Sequence, residues 1–180
     1  MSLHESYQHL RAFARIDGGK LGLFWIGSFA LFVLNFSFPL CGMLWMITMI
    51  ATPFIIGILT RRYTVSQLDG TITYGRAYVY SFLVTFYASL ILAIAQWVYF
   101  QYIDNGFFLN QYVKIMSSQD VSNALSSMGY KIDEINKLIE VLRSLRPIDI
   151  ALQVLWSNMI AGLIISLTTA LYASSRKTLR

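Results

Sequence analysis

The chain has 180 residues, of which 56% are hydrophobic and 13% charged, and its formal net charge is +5. Ordinary soluble domains carry about 25% charged residues, so this composition excludes a water-soluble protein and, with it, most soluble chemistries. The length leaves room for one compact membrane domain, and the single cysteine, Cys41, excludes an internal disulfide framework.

The first twenty residues are polar and basic. Leu10, Phe13 and Ile16 recur at three-residue spacing while arginines lie on other faces, a pattern that predicts a short helix in the membrane interface over residues 1–20. The alternative is a polar start to the first spanning helix, with basic residues that act only as topology signals. In the interfacial interpretation, anionic lipid contacts this segment and a later basic loop through Arg11, Arg15, Lys20, Arg61 and Arg62.

No acidic or basic residue occurs between Leu21 and Leu59. At roughly 1.5 Å per helical residue, this run is long enough to cross about 30 Å of hydrocarbon twice. Pro39 and Gly42 interrupt the run where a helical hairpin can turn. The sequence therefore predicts transmembrane helices over residues 21–38 and 40–60, the first of them retained rather than cleaved as a signal peptide.

Two further spans are predicted over residues 76–102 and 147–173. Tyrosines near both ends of the third span suit the headgroup layer. Pro147 fits the first position of the fourth helix, and Asp149 in its first turn is expected to stabilise that start, with Arg146 as a partner. A basic tail over residues 174–180 follows.

Lysines and arginines concentrate before the first span, between the second and third, and after the fourth. Basic and acidic residues balance in the segment 104–146, and the turn between the first two spans has no basic residue. Cytoplasmic loops of membrane proteins are enriched in Lys and Arg. The distribution predicts a multi-pass protein of the bacterial inner membrane with both termini in the cytoplasm and an exported segment 104–146.

The exported segment contains apolar residues at helical spacing, which predict an amphipathic helix. This helix either covers its neighbours and the outer membrane surface, or forms a face on which a partner docks. The residues of that face are Ile132, Ile135, Leu138, Ile139, Leu142 and Leu145.

Candidate groups for catalysis are scarce. The spans hold polar but uncharged side chains, and only Asp149, at an edge, is acidic. His4, His9 and Cys41 do not supply the clustered ligands of a metal site or the partners of a nucleophilic triad. We therefore predict no enzyme activity, no cofactor and no metal.

Small residues recur at every fourth position along the third and fourth spans, a pattern that lets helices approach closely in lipid. These stripes predict that the two helices pack against each other; contact with a second copy or a partner is the alternative. The residues are Ala77, Ser81, Thr85, Ser89, Ala93 and Gln96 in the third span, and Asn158, Gly162, Ser166 and Ala170 in the fourth.

The segments 70–77 (GTITYGRA), 99–104 (YFQYID) and 160–167 (IAGLIISL) resemble those of a family of small membrane proteins found chiefly in Bacteroidota. This family is the domain of unknown function numbered forty-one ninety-nine, and the resemblance extends over nearly the whole chain. Genes of the family often lie near a glycosyltransferase resembling polyprenyl-phosphate mannose synthases. The resemblance thus implies a membrane partner for such an enzyme and carries over no functional residues.

Together these patterns predict an all-α integral membrane protein with four transmembrane helices and a helical exported loop between the third and fourth. The expected function is that of a non-enzymatic accessory or anchoring protein, with anionic lipid and a protein partner or second copy, but no nucleic acid, as binding partners. The alternative is a small lipid or solute transporter whose intramembrane path uses Asn35, Gln96, Gln153 and Asn158.

Overall fold

The computed structural model describes residues 3–68, 70–129 and 132–175, and the regular elements in this part of the chain are all helical. Four helices are long and apolar enough to cross a membrane. The predicted fold class, an all-α membrane protein with four spans, is therefore confirmed. The elements are α1 (Leu3–Leu34), α2 (Pro39–Gln67), α3 (Tyr74–Val98, continued by a π-helical turn at Tyr99–Ile103), α4 (Phe107–Met116), α5 (Gln119–Ser127), α6 (Ile132–Ser144) and α7 (Pro147–Ser175).

The first helix differs from the prediction. α1 is continuous from Leu3 to Leu34, where a separate interfacial segment over 1–20 and a span over 21–38 were expected. Leu10, Ala14 and Leu21 are buried in the core at helical spacing. Of the apolar stripe predicted for the interface, Leu10 is buried and Phe13 is half-buried, but Ile16 is 57% exposed, so only part of the stripe packs against neighbouring helices. The continuous helix fits the alternative, in which the N-terminal segment is the start of the first spanning helix.

The other spans are longer than predicted. α2 runs on to Gln67, past the expected end at residue 60, because Tyr63 and Thr64 are buried in its last turns. α3 starts at Tyr74 after an irregular connection in which Gly70 adopts a φ of 81°. α7 ends at Ser175, so residues 176–180 of the predicted basic tail lie outside the described residues.

One compact unit contains the described residues up to Ala95 and from Gln153 onward. Its core combines side chains of α1, α2 and α3, among them Leu21, Ile56 and Val84. The outward surfaces of α2 and α7 are apolar and exposed, for example at Phe54 and Ile164. Such surfaces suit hydrocarbon, because lipid tails are as apolar as the side chains that meet them.

A second compact unit spans Gln96–Leu152 and contains α4, α5 and α6, each in contact with the other two. The segment predicted as an exported helical loop thus folds into three helices. Asp104 starts this unit's first helix, since its carboxylate oxygens accept hydrogen bonds from the backbone N–H of Phe108 at 3.0 and 3.2 Å. Asn105 and Gly106 form the turn between them in the left-handed conformation.

Candidate functional site

A buried carboxylate lies in α1, four residues before the apolar run begins. Asp17 is 6% exposed. Its Oδ1 accepts a hydrogen bond from Lys20 Nζ at 2.7 Å, and its Oδ2 accepts one from the Tyr80 hydroxyl of α3 at 2.6 Å. A buried charge is costly unless it is paired and hydrogen-bonded. Both oxygens of Asp17 meet this requirement, and the Tyr80 bond joins α1 to α3.

α2 joins the same network through aromatic contacts. The Tyr63 ring stacks on the Tyr80 ring with centroids 4.2 Å apart and planes 9° from parallel. Phe13 of α1 meets Tyr63 from another side at 5.8 Å. Three helices are thereby fixed to one another at a single end of the bundle.

That end of the bundle carries five exposed cationic side chains, and we call these residues the basic end: Arg11, Arg15, Lys20, Arg61 and Arg62. All five predicted lipid-contact side chains are exposed there. Within the part of the chain that the structure describes, the ion pairs are Lys20–Asp17 and Arg146–Asp149. Arg11, Arg15, Arg61 and Arg62 thus have no acidic partner among the side chains that the structure describes, and a guanidinium group suits bidentate binding of phosphate or carboxylate.

The basic end and the buried network lie close together. Arg62 directly precedes Tyr63, whose ring stacks on Tyr80. Lys20 belongs to both groups, because it pairs with Asp17 while 55% of its side chain remains exposed. An anion bound at the basic end would therefore lie close to Asp17 and Tyr80, the residues that join α1 to α3.

Two glycines bring α1 against α3 beside this network. A Cβ on Gly18 would lie 2.6 Å from Tyr87 Cβ and 2.9 Å from the Val84 carbonyl oxygen. A Cβ on Gly22 would lie 3.0 Å from Ile91 Cβ. Both glycines face α3 at the spacing of a G-x-x-x-G motif, which permits close backbone approach in membranes.

Our reading of the sequence missed both Asp17 and this motif. The signal was present, since a carboxylate directly precedes a G-x-x-x-G pattern that runs into an apolar stretch. The basic residues around Asp17 placed it in the polar segment 1–20. Its partner Tyr80 is 63 positions away, a separation that local patterns do not reveal.

The small-residue stripes lie largely inside. Gly162 of α7 meets α3 directly, because a Cβ there would be 2.5 Å from Thr85 Cγ2. Ala93 and Asn158 are only half-buried, and Gln96 belongs to the second unit. The buried stripe residues are Ala77, Ser81, Thr85, Ser89, Gln96, Gly162, Ser166 and Ala170.

The hydroxyls of the α3 stripe have partners that the spacing did not predict. Ser81, Thr85 and Ser89 each donate to the carbonyl oxygen four residues earlier, at 2.8 to 3.0 Å. Ser81 also shares a 2.9 Å hydrogen bond with Thr60 of α2. The stripe therefore contacts α2 as well as α7.

The face predicted for a partner lies on α6 and the residue after it. Leu138 is exposed, whereas Ile139, Leu142 and Leu145 are half-buried. The side chains of Ile132 and Ile135 lie outside the described residues. Other residues of the chain therefore cover Ile139, Leu142 and Leu145 in part and leave Leu138 exposed.

The start of α7 has the expected pairing. Arg146 Nε donates to Asp149 Oδ2 at 2.9 Å, and Arg146 Nη2 donates to Oδ1 at 3.0 Å. These hydrogen bonds and the carboxylate charge raise the pKa of Arg146. Asp149 therefore contributes to the helix start rather than to a site in the membrane.

No group of three or more His, Cys, Asp and Glu residues is arranged to hold a metal ion in the described ranges 3–68, 70–129 and 132–175. The arrangement at the basic end instead offers guanidinium and ammonium donors around a paired carboxylate. Guanidinium and ammonium groups are donors that proteins commonly use to bind anions.

The chain matches, over residues 17–174, the model of a family described as a protein of unknown function, DUF4199, and it belongs to this family. The match covers Asp17, Lys20, Tyr63 and Tyr80 of the buried network and extends from within α1 into the last turn of α7, so Phe13 and the preceding turns of α1 lie outside it. No curated protein and no solved structure matches the chain. The family description assigns no activity.

Proposed function

We propose that this DUF4199 protein is a non-enzymatic accessory protein of the bacterial inner membrane, which anchors a partner protein through its cytoplasmic basic end with the help of anionic lipid. The observation that carries the proposal is the exposed arginine cluster beside the Asp17–Tyr80 network. The positive-inside rule supports a cytoplasmic location for this end and for both termini.

The buried network gives the basic end a defined geometry. Tyr80 bonds to Asp17 and stacks on Tyr63, so α1 and α2 are each fixed to α3. Arg15 of α1 and Arg62 of α2 therefore project from helices whose relative positions are already set. A partner that binds them does not have to order those helices first, which reduces the entropic cost of association.

The partner is expected to be a membrane-associated protein with an acidic surface, because charge complementarity steers encounter and fixes orientation. The family resemblance makes a glycosyltransferase that resembles polyprenyl-phosphate mannose synthases the first partner to test. The exposed part of α6, at Leu138 and Val141, offers a second contact surface on the exported segment.

The test is chemical crosslinking in native membranes, followed by purification in mild detergent and mass spectrometry of proteins and lipids. The wild-type chain should yield a stoichiometric protein partner, and an Arg15→Glu/Arg62→Glu variant should lose it. The matched control is Lys114→Glu/Arg143→Glu, which reverses two exposed cations of the second unit and should retain the partner.

Absence of any reproducible protein partner of the wild-type chain would overturn the proposal. An equal loss in the control variant would also contradict it, because net charge rather than the basic end would then decide binding. A single enriched lipid species without protein would favour the second candidate function.

That second candidate is a lipid or solute transporter, and Asp17 is the observation that favours it. A buried carboxylate within the candidate span Tyr7–Leu34 is the kind of group that ion-coupled transporters use. Close helix contacts at Gly18 and Gly162 favour a packed scaffold instead. Asn35, assigned to the transporter path, lies against Gly42 at the turn between α1 and α2.

Reconstitution into liposomes that contain a pH-sensitive dye tests the transporter directly. A transporter coupled to protons through Asp17 gives a flux that the Asp17→Asn variant abolishes. The accessory role gives equal, background flux for both proteins.

A further inference from the structure

α4 has an apolar arc that its neighbours do not cover. At 3.6 residues per turn, Phe108, Tyr112 and Ile115 lie on one side of this helix, and Asn110 and Lys114 lie on the other, where Phe107 is also partly exposed. The structure leaves 38% of Tyr112 and 46% of Ile115 exposed, whereas Val113 is buried. The contacts of α4 with α5 and α6 thus account for only part of its apolar surface.

The position of α4 in the chain places it next to a membrane span. The candidate span Tyr74–Ile103 ends three residues before α4 begins. Three extended residues cover at most about 11 Å. The turn is also held locally, because the Asp104 carboxylate accepts hydrogen bonds from the backbone N–H of Phe108 in α4, and Asn105 and Gly106 adopt the left-handed conformation.

An aromatic row continues from the end of the span onto α4. The rings of Phe100 and Phe108 meet edge to face at 5.3 Å, and Phe108 stacks on Tyr112 at 6.1 Å. Tyr102 and Ile103, at the end of the span itself, are strongly exposed. Aromatic contacts therefore continue from the end of the span onto α4, with exposed apolar side chains at both ends of the row.

We infer that α4 lies in the headgroup layer of the bilayer, with Tyr112 and Ile115 at the acyl boundary and Asn110 and Lys114 toward water. The partner of this surface is the phospholipid bilayer itself. Tyrosine prefers this layer because its ring is apolar and its hydroxyl reaches water. A helix with one apolar and one cationic side binds in the interface plane.

This placement explains why α5 and α6 leave the apolar arc of α4 exposed. The exposed Tyr112 and Ile115 belong to the surface that the bilayer covers, and the buried Val113 belongs to the surface inside the unit. This inference concerns the second unit alone and does not depend on which protein binds the basic end.

Nitroxide accessibility tests the inference in the intact chain. In a Cys41→Ser background, single cysteines replace Ile115 or, as the matched control on the polar side, Asn110. Each protein is spin-labelled and reconstituted into phosphatidylethanolamine/phosphatidylglycerol vesicles. Collision with oxygen, which concentrates in lipid, is compared with collision with a water-soluble nickel chelate.

The ratio of oxygen to nickel accessibility should be several-fold higher at position 115 than at position 110. Equal ratios would overturn the inference, since the arc would then face water. Low accessibility to both reagents at position 115 would overturn it as well, because a protein surface would then cover the arc. A Tyr112→Cys protein provides an independent second position, and circular dichroism verifies that each labelled chain remains folded.

Discussion

The Tyr80 hydroxyl donates a 2.6 Å hydrogen bond to the Asp17 carboxylate across 63 positions of sequence, and it fixes α1 to α3 at the basic end. Tyr80 is fully buried, and Asp17 holds Lys20 with its other oxygen. The exposed cation Lys20 is thereby connected through one carboxylate to the contacts that hold the helices together.

Removing the Tyr80 hydroxyl should destabilise the protein while preserving its aromatic packing. In Tyr80→Phe, the ring still stacks on Tyr63, but Asp17 Oδ2 loses its donor. Leaving a buried acceptor without a partner costs about 1–3 kcal/mol. Denaturation in mixed micelles should show this loss of unfolding free energy, and Tyr78→Phe, the control two positions away, should show little change. Equal effects of the two substitutions would contradict the assigned role of the bond.

Asp17 should tolerate an amide better than an apolar side chain. Asp17→Asn keeps an oxygen that accepts from Tyr80, whereas Asp17→Leu leaves the Tyr80 hydroxyl buried without an acceptor. The leucine variant should therefore be the less stable. The double variant Asp17→Leu/Tyr80→Phe should lose less stability than the sum of its single changes, because both remove the same hydrogen bond. Strict additivity in this double-mutant cycle would show that the two residues act independently.

Adding even a methyl group at Gly18 should disturb the α1–α3 contact and destabilise the protein. The added Cβ of Gly18→Ala would meet the Tyr87 side chain and the Val84 backbone oxygen, so the helices must move apart. Overpacking of this kind typically costs about 1–3 kcal/mol. The neighbouring Gly19 has no such contact within 4 Å, and Gly19→Ala should leave stability unchanged or raised. Thermal unfolding in detergent distinguishes the two variants, and similar midpoints would rule out a close contact at Gly18.

The α3–α7 contact should reject a large side chain at Gly162. Gly162→Leu would collide with Thr85, whereas Gly57 has nothing within 4 Å and Gly57→Leu should fold. Size-exclusion chromatography in mild detergent should show an aggregated or expanded Gly162→Leu protein and a monodisperse Gly57→Leu protein. For the smaller change Gly162→Ala, adding Thr85→Ala should restore part of the lost stability, since it removes Thr85 Cγ2. A monodisperse Gly162→Leu protein would mean that this face of α7 contacts lipid instead of α3.

The four spans were predictable because a long apolar run is a local property that needs no knowledge of its neighbours. The stripe containing Ser81 and Thr85 was visible for the same reason, as a repeat along one helix. The burial of Asp17 was not predictable in this way, because it depends on Tyr80 in another helix. The burial of Leu10 and Ala14 likewise depends on residues of other helices, and the continuity of α1 fits the alternative of a polar start to the first span.

Site-specific photocrosslinking tests the central claim, that the basic end holds a protein partner, most directly. A photoreactive amino acid replaces Ser66, exposed near the basic end of α2, or Met43, exposed near the opposite end of the same helix. After irradiation of native membranes, the account predicts one discrete protein adduct from position 66 and only lipid adducts from position 43. Lipid adducts alone from both positions, or the same protein adduct from both, would contradict a partner site at the basic end.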